Sequence, residues 1–160
     1  MPSIDSSSDA DSELSIYSPQ RAQTFPTLES WYVQRAALLS TLAARFKAGD
    51  KVLFVEEQQG FGKTLLAAQF ALANPMRTIC LFLNPDDTLL CAPDSLRRDV
   101  YAQAYRLLNG AEPDGKLLVD EGDIRTVLQQ LHSYARAKRH NILFVIDGMH
   151  TVDNDSFLAG

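Results

Sequence analysis

Cysteine, tryptophan, long apolar runs and positive charge are all scarce in this chain of 160 residues, which has two cysteines and one tryptophan. Cys80 and Cys91 are too few for a disulfide framework and lack metal-ligand spacing. Cys80 sits inside the apolar run Ile79-Cys80-Leu81-Phe82-Leu83 and reads as buried filler. No apolar stretch reaches the ~18 residues of a membrane span, and no basic start followed by an apolar stretch marks a leader. A reducing, cytoplasmic location is the expectation. Fifteen Lys and Arg stand against twenty Asp and Glu, for a net charge of −5. That balance argues against a nucleic-acid interface, which needs a basic stripe. The only basic clusters, Arg97-Arg98 and Arg136-Ala137-Lys138-Arg139, lie in helical stretches and read as solvated faces.

What is present suits one α/β domain. The hydrophobic fraction of 46% supplies an ordinary core. Residues 1 to 24 hold seven serines, three aspartates and one glutamate with few large apolar groups. Such a segment cannot bury enough surface to offset its ordering entropy, so a disordered tail is expected there, with the domain over 25–160. No internal repeat is visible. Leu38, Leu39, Leu42 and Phe46 recur at helical spacing, and Gly49-Asp50 ends that element. Apolar runs predict strands at 51–56, 78–83 and 142–146, each of the kind buried on both faces. Between them, periodicity predicts helices from Lys63 to about Ala73, from a cap at Asp94 or Ser95 to Asn109-Gly110, and over 123–138, with a loop at 111–115. Strands alternating with helices give parallel strands joined by crossovers, a three-layer α/β sheet.

The most informative stretch is Gly60-Phe61-Gly62-Lys63-Thr64-Leu65, which follows the apolar run Val52-Leu53-Phe54-Val55. A strand emptying into a glycine turn, then a lysine and a hydroxyl opening a helix, is the pattern of a phosphate cradle. Glycines let backbone N–H groups crowd around a polyphosphate, the lysine adds a point charge, and the threonine hydroxyl can hold Mg²⁺. A cation at a helix start opposes the helix dipole unless an anion sits there. The expected nucleotide contacts are Gln58, Gln59, Gly60, Phe61, Gly62, Lys63, Thr64 and Leu65. The usual pattern has glycine where this chain has Glu57, beside Glu56. A carboxylate there repels a triphosphate and resists the twist that glycine permits.

Asp147 closes the run Ile142-Leu143-Phe144-Val145-Ile146, about eighty residues after the glycine turn. In α/β sheets ligands gather at the carboxyl edge of the strands, which puts Asp147 and the turn on one edge. One carboxylate and one hydroxyl suit Mg²⁺, which keeps much of its water, so Thr64 and Asp147 are the expected metal ligands. As Asp-Gly, residues 147–148 also fit an ordinary turn. His150 faces the same edge, Asp153 and Asp155 lie further on, and His132 and His140 have no chemical partners in the sequence. No catalytic residue is assigned.

These elements together resemble the P-loop module of the STAND class of signal-transduction ATPases over about residues 28 to 157. Within that class the chain is most similar to the maltose-regulator type. Residues Glu57-Gln58-Gln59-Gly60-Phe61-Gly62-Lys63-Thr64 and the helix Leu65-Leu66-Ala67-Ala68-Gln69-Phe70 carry the likeness, with Glu57 a departure. Asp147-Gly148-Met149-His150 keeps the first aspartate and the histidine of the family's acidic motif but not its second aspartate. Tyr32-Val33-Gln34-Arg35 resembles the short motif preceding such modules, whose arginine lies near the nucleotide, which adds Arg35 to the expected contacts. The resemblance implies ATP with Mg²⁺, a switch role within a larger signalling protein, ATP hydrolysis as an open question, and other domains or protomers as partners. It also implies a later strand between the glycine-turn strand and the Asp147 strand, which the sequence to Gly160 does not supply, so the N-terminal part of such a domain is expected. Two other classes fit the same motifs. A P-loop small-molecule kinase or transferase would need an arginine-rich lid, and the 111–123 loop offers acids instead. A non-hydrolysing interaction module with a decayed turn fits Glu56-Glu57.

Overall fold

The computed structural model describes residues 16–29, 32–58, 60–84, 86–115 and 118–149. The chain is mixed α/β. Its elements are α1 (Ala36–Ala48), α2 (Lys63–Leu72), β1 (Thr78–Phe82), α3 (Pro93–Asn109), α4 (Glu121–Lys138) and β2 (Leu143–Asp147). Short 3₁₀ turns at Pro19–Arg21 and Pro75–Arg77 complete the described secondary structure. β1 and β2 pair in parallel, from Thr78 opposite Leu143 to Phe82 opposite Asp147. The connection between them passes through α3 and α4, the long crossover that parallel strands require.

Successive strand residues face opposite ways, and β1 is packed on both sides. Ile79 joins Ala104 and Leu107 of α3 and Val127 and Leu131 of α4 in one cluster. Cys80 and Phe82 join Ala68 and Ala71 of α2 and Ala22 in the other. α1 has no buried residue and meets α2 through a stacked Phe46–Phe70 pair with ring centroids 5.9 Å apart.

Local chemistry explains most of the helix ends. Gly49 and Gly110 take left-handed φ values of 110° and 61° as C-caps of α1 and α3, a conformation glycine adopts without a Cβ penalty. α3 starts at Pro93 rather than at a cap on Asp94 or Ser95; proline presets the helical φ and has no N–H to leave unpaired. α4 starts two residues before the expected Asp123. The Asp120 carboxylate accepts from the Asp123 amide, and Asp123 accepts from the Asp120 amide, a reciprocal capping box.

Two sequence expectations fail. Residues 51–56 form no strand, and Phe54 is 84% exposed. An apolar run becomes a buried strand only when a neighbour covers it, and among the described residues nothing pairs with this one. Among the described residues the outer edge of β2 is open as well, with Phe144 and Ile146 half-exposed. Lys51 and Phe144 line one cavity of about 590 Å³, so the two uncovered segments border a common gap. The second failure is the tail boundary. Residues 1–15 lie outside the described ones, but 16–24 pack as a strap. Pro19 and Ala22 are buried, Tyr17 joins the α3–α4 cluster, and the Thr24 hydroxyl accepts from the Phe82 amide at 3.0 Å. The serine count concealed the few residues that bury surface.

Beneath the strap lies Asp99, 1% exposed. Its Oδ1 accepts from the Gln23 amide at 3.1 Å, while Oδ2 is buried and without a partner. Burial pushes its pKa up, outweighing the opposing pull of Gln23, Gln103, Arg106 and Thr24. The folded protein therefore holds this proton more tightly than the unfolded chain does. Stability from the protonated acid is complete below the ordinary value of 3.8 and is lost as pH rises through the folded pKa. Above the folded pKa the charged carboxylate, with Oδ2 unpaired among the described residues, costs about 1–3 kcal/mol. Asp99→Asn is expected to raise the melting temperature at pH 7.5 by roughly 3–8 °C. That gain should shrink as pH falls toward 4, as calorimetry across the range would show. A loss of stability independent of pH would mean that the carboxylate is a required acceptor.

Candidate phosphate site

α2 begins where the backbone turns through two glycines. Gly60 and Gly62 have φ of 87° and 75°, the left-handed region, and Gly62 is the N-cap of α2. The Phe61 amide donates to the Gln58 carbonyl at 3.4 Å, closing the turn. The Leu66 amide is the first in α2 to find an intrahelical acceptor, at Gly62. Among the described residues, the amides of Gly62, Lys63, Thr64 and Leu65 are therefore the unpaired donors of this helix start. Backbone dipoles add a partial positive charge there.

The side chains complete the arrangement. Lys63 Nζ donates to the Glu57 carbonyl at 2.6 Å and the Gln58 carbonyl at 3.1 Å, strapping the turn and leaving one of its three N–H groups. The Arg35 guanidinium lies against the turn: a Cβ built on Gly62 would come within 2.8 Å of Arg35 Nη2. Any other residue at 62 would carry the strain of its φ and push the Arg35 guanidinium aside. Thr64 Oγ1 donates to Asp147 Oδ2, joining residues 83 positions apart.

Asp147 is held where it is by the end of the ladder. The Leu83 amide donates to the Asp147 carbonyl at 3.0 Å, extending the β1–β2 pairing by one residue. Gly148 follows with φ of 81°, and a Cβ there would lie 2.1 Å from the Leu83 carbonyl oxygen. Only glycine fits. The Asp-Gly pair is thus a requirement of close strand approach as well as a turn.

Of the expected site residues, Arg35, Gln58, Gly60, Phe61, Gly62, Lys63, Thr64, Leu65 and Asp147 fall in or beside this one turn, though the Phe61 ring is 54% exposed. Gln59 and His150 lie outside the described residues, as do Asp153 and Asp155. Glu57 is exposed, and its Oε1 accepts from the adjacent Gln58 amide at 3.0 Å, so an anion of the chain already uses one donor of the turn. Among the described residues no three His, Cys, Asp or Glu gather as a metal cage. The 590 Å³ cavity lies at the other end of β2, around Ile142 and Phe144. His140 borders it with a buried, unpaired Nε2 and an edge-on contact to Tyr134.

Comparison with family models, curated proteins and solved structures gave no match. What the site can do rests on its own geometry. Sequence reading missed Gln69, which is 4% exposed on α2 and bonded to the backbone on either side of Gln34. Its signal was a lone amide in the apolar run Leu65-Leu66-Ala67-Ala68-Gln69-Phe70-Ala71. Among the described residues, no helix is long and apolar enough to cross a membrane.

Proposed function

We propose that this chain is an ATP- and Mg²⁺-binding switch module built on a P-loop, in keeping with the STAND resemblance of its motifs. The observation that carries the reading is the Thr64–Asp147 hydrogen bond at the mouth of a turn with unpaired helix-start amides. A hydroxyl and a carboxylate oxygen in contact are hard ligands that fit Mg²⁺, which takes one or two protein oxygens and keeps water and phosphate for the rest. The amides of 62–65, Lys63 and Arg35 would take the phosphates. Two cations converging on a helix start, with Lys63 satisfied only by carbonyls, are an arrangement that a polyanion relieves. The preference for ATP over other nucleoside triphosphates comes from the resemblance.

As a switch, the module would act through different nucleotide affinities in two arrangements of its neighbours, either further domains or other protomers. Turnover would need a group that activates water, and release of phosphate from ATP measures it. The Glu57 carboxylate on the Gln58 amide favours a weakened site, with a non-hydrolysing interaction module as the second reading.

Titration of a fluorescent ATP analogue with and without Mg²⁺ tests the proposal. Wild type should bind at least about tenfold more tightly with Mg²⁺, whereas Asp147→Asn should bind with little regard to the metal. Equal Mg²⁺ dependence in both proteins would remove Asp147 from the site. Absence of binding at millimolar nucleotide would overturn the reading.

A further inference from the structure

We propose that Gln69 is the positioning residue that sets Arg35 over the glycine turn, making the arginine a built component of the phosphate site. The inference rests on the nucleotide-binding reading above and adds a residue to it. Gln69 Nε2 donates to the Val33 carbonyl at 3.0 Å, and Gln69 Oε1 accepts from the Arg35 amide at 3.0 Å. A primary amide offers a donor and an acceptor side by side, the same pair that a neighbouring strand would present. One side chain thus satisfies both inward-facing backbone groups of the 33–35 segment.

Burial makes the clamp specific. Gln69 is 4% exposed, between Ala68 and Phe70 in the apolar face of α2, so water does not replace a lost partner. Arg35 is the N-cap of α1 and has no side-chain cap of its own; the Gln69 oxygen takes its amide instead. The same contact fixes where α1 begins and where the Arg35 side chain departs. From that point the guanidinium reaches Gly62, and no carboxylate or carbonyl engages it among the described residues.

Gln69 also sits on the helix whose first two residues are Lys63 and Thr64. Six residues of helix rise about 9 Å, so clamp and turn belong to one rigid element. Lys63 and Thr64 are placed directly by α2, and Arg35 is placed by the same helix through Gln69. A phosphate-binding cation from a separate segment is thereby tied to the turn it serves, which reduces the ordering cost of binding.

The test uses the full chain with Gln69→Met, Arg35→Ala and the double variant. Binding of inorganic tripolyphosphate should weaken by roughly 3- to 10-fold in each single variant and no further in the double. Losses that multiply in the double variant, or an unchanged Gln69→Met, would overturn the proposal. Amide hydrogen exchange judges the clamp without any ligand. The Arg35 amide should exchange faster in Gln69→Met while the α2 amides keep their protection, and equal Arg35 protection in both proteins would refute the clamp. Should wild type fail to bind tripolyphosphate, the nucleotide reading falls while the exchange result still decides the positioning claim. If Gln69→Met does not fold, Gln69→Asn carries the same comparison, since it keeps the amide but withdraws it by one methylene.

Discussion

Lys63→Ala is expected to weaken Mg·ATP binding by roughly 10- to 100-fold, the yield of about 1.5–3 kcal/mol for hydrogen bonds to a charged group. The physical case starts from the unliganded turn. Lys63 stands in the first turn of α2, where its charge opposes the helix dipole, and its ammonium is held by the Glu57 and Gln58 carbonyls. Removing it relieves that opposition and loosens the turn, so folding stability should change little. Binding should fall steeply, because Arg35, held on a separate segment against Gly62, does not fill the place of the ammonium. Titration at several salt concentrations provides the check: the wild-type affinity should drop with salt more steeply than that of the variant. Equal affinity of the two proteins would sink the nucleotide reading, and with it the assignment of the 58–65 amides.

Glu57→Gly should change binding in the opposite direction. The Glu57 carboxylate turns back on its own turn and takes the Gln58 amide, so a nucleotide must compete with it for a donor and against its charge. At about 8 Å from a triphosphate, each pair of unit charges costs roughly 0.5 kcal/mol in water, and several phosphate charges act together. A gain of roughly 3- to 30-fold in affinity follows from removing the charge alone. Glycine also frees the backbone, at an entropic cost of about 0.5–1 kcal/mol that offsets part of the gain. Glu57→Gln separates the two contributions, since it removes the charge and keeps the backbone restriction. If neither variant binds ATP more tightly than wild type, the carboxylate is not what limits the site. The same pair discriminates between the competing readings. A turn that recovers nucleotide binding on losing one carboxylate is an attenuated site, and one that does not fits an interaction module.

The helices were readable because their signals are local. Gly49 and Gly110 end helices through their own backbone freedom, and Pro93 and Asp120 begin them through groups within three residues. β1 was readable because its apolar run is buried where it lies, and β2 because its run pairs with β1. The run at 51–56 carried the same signal and failed, since its burial depends on a neighbour that its own residues do not encode. The strap at 16–24 failed in the other direction: a few contacts from Tyr17, Pro19, Ala22 and Thr24 outweigh a composition that reads as a tail.

Which residue types could serve a phosphate, and that Lys63 and Thr64 would open a helix after a glycine turn, followed from order along the chain alone. Side-chain chemistry and backbone preference act within a few residues, so no fold was needed to see them. Tertiary structure decided everything that joins distant positions: Thr64 bonded to Asp147, Gly148 pressed on the Leu83 carbonyl, and Arg35 brought to Gly62 through Gln69. Contacts of that kind depend on how strands and helices close on one another, and packing of this sort leaves only faint traces in sequence order, such as one amide in an apolar helix.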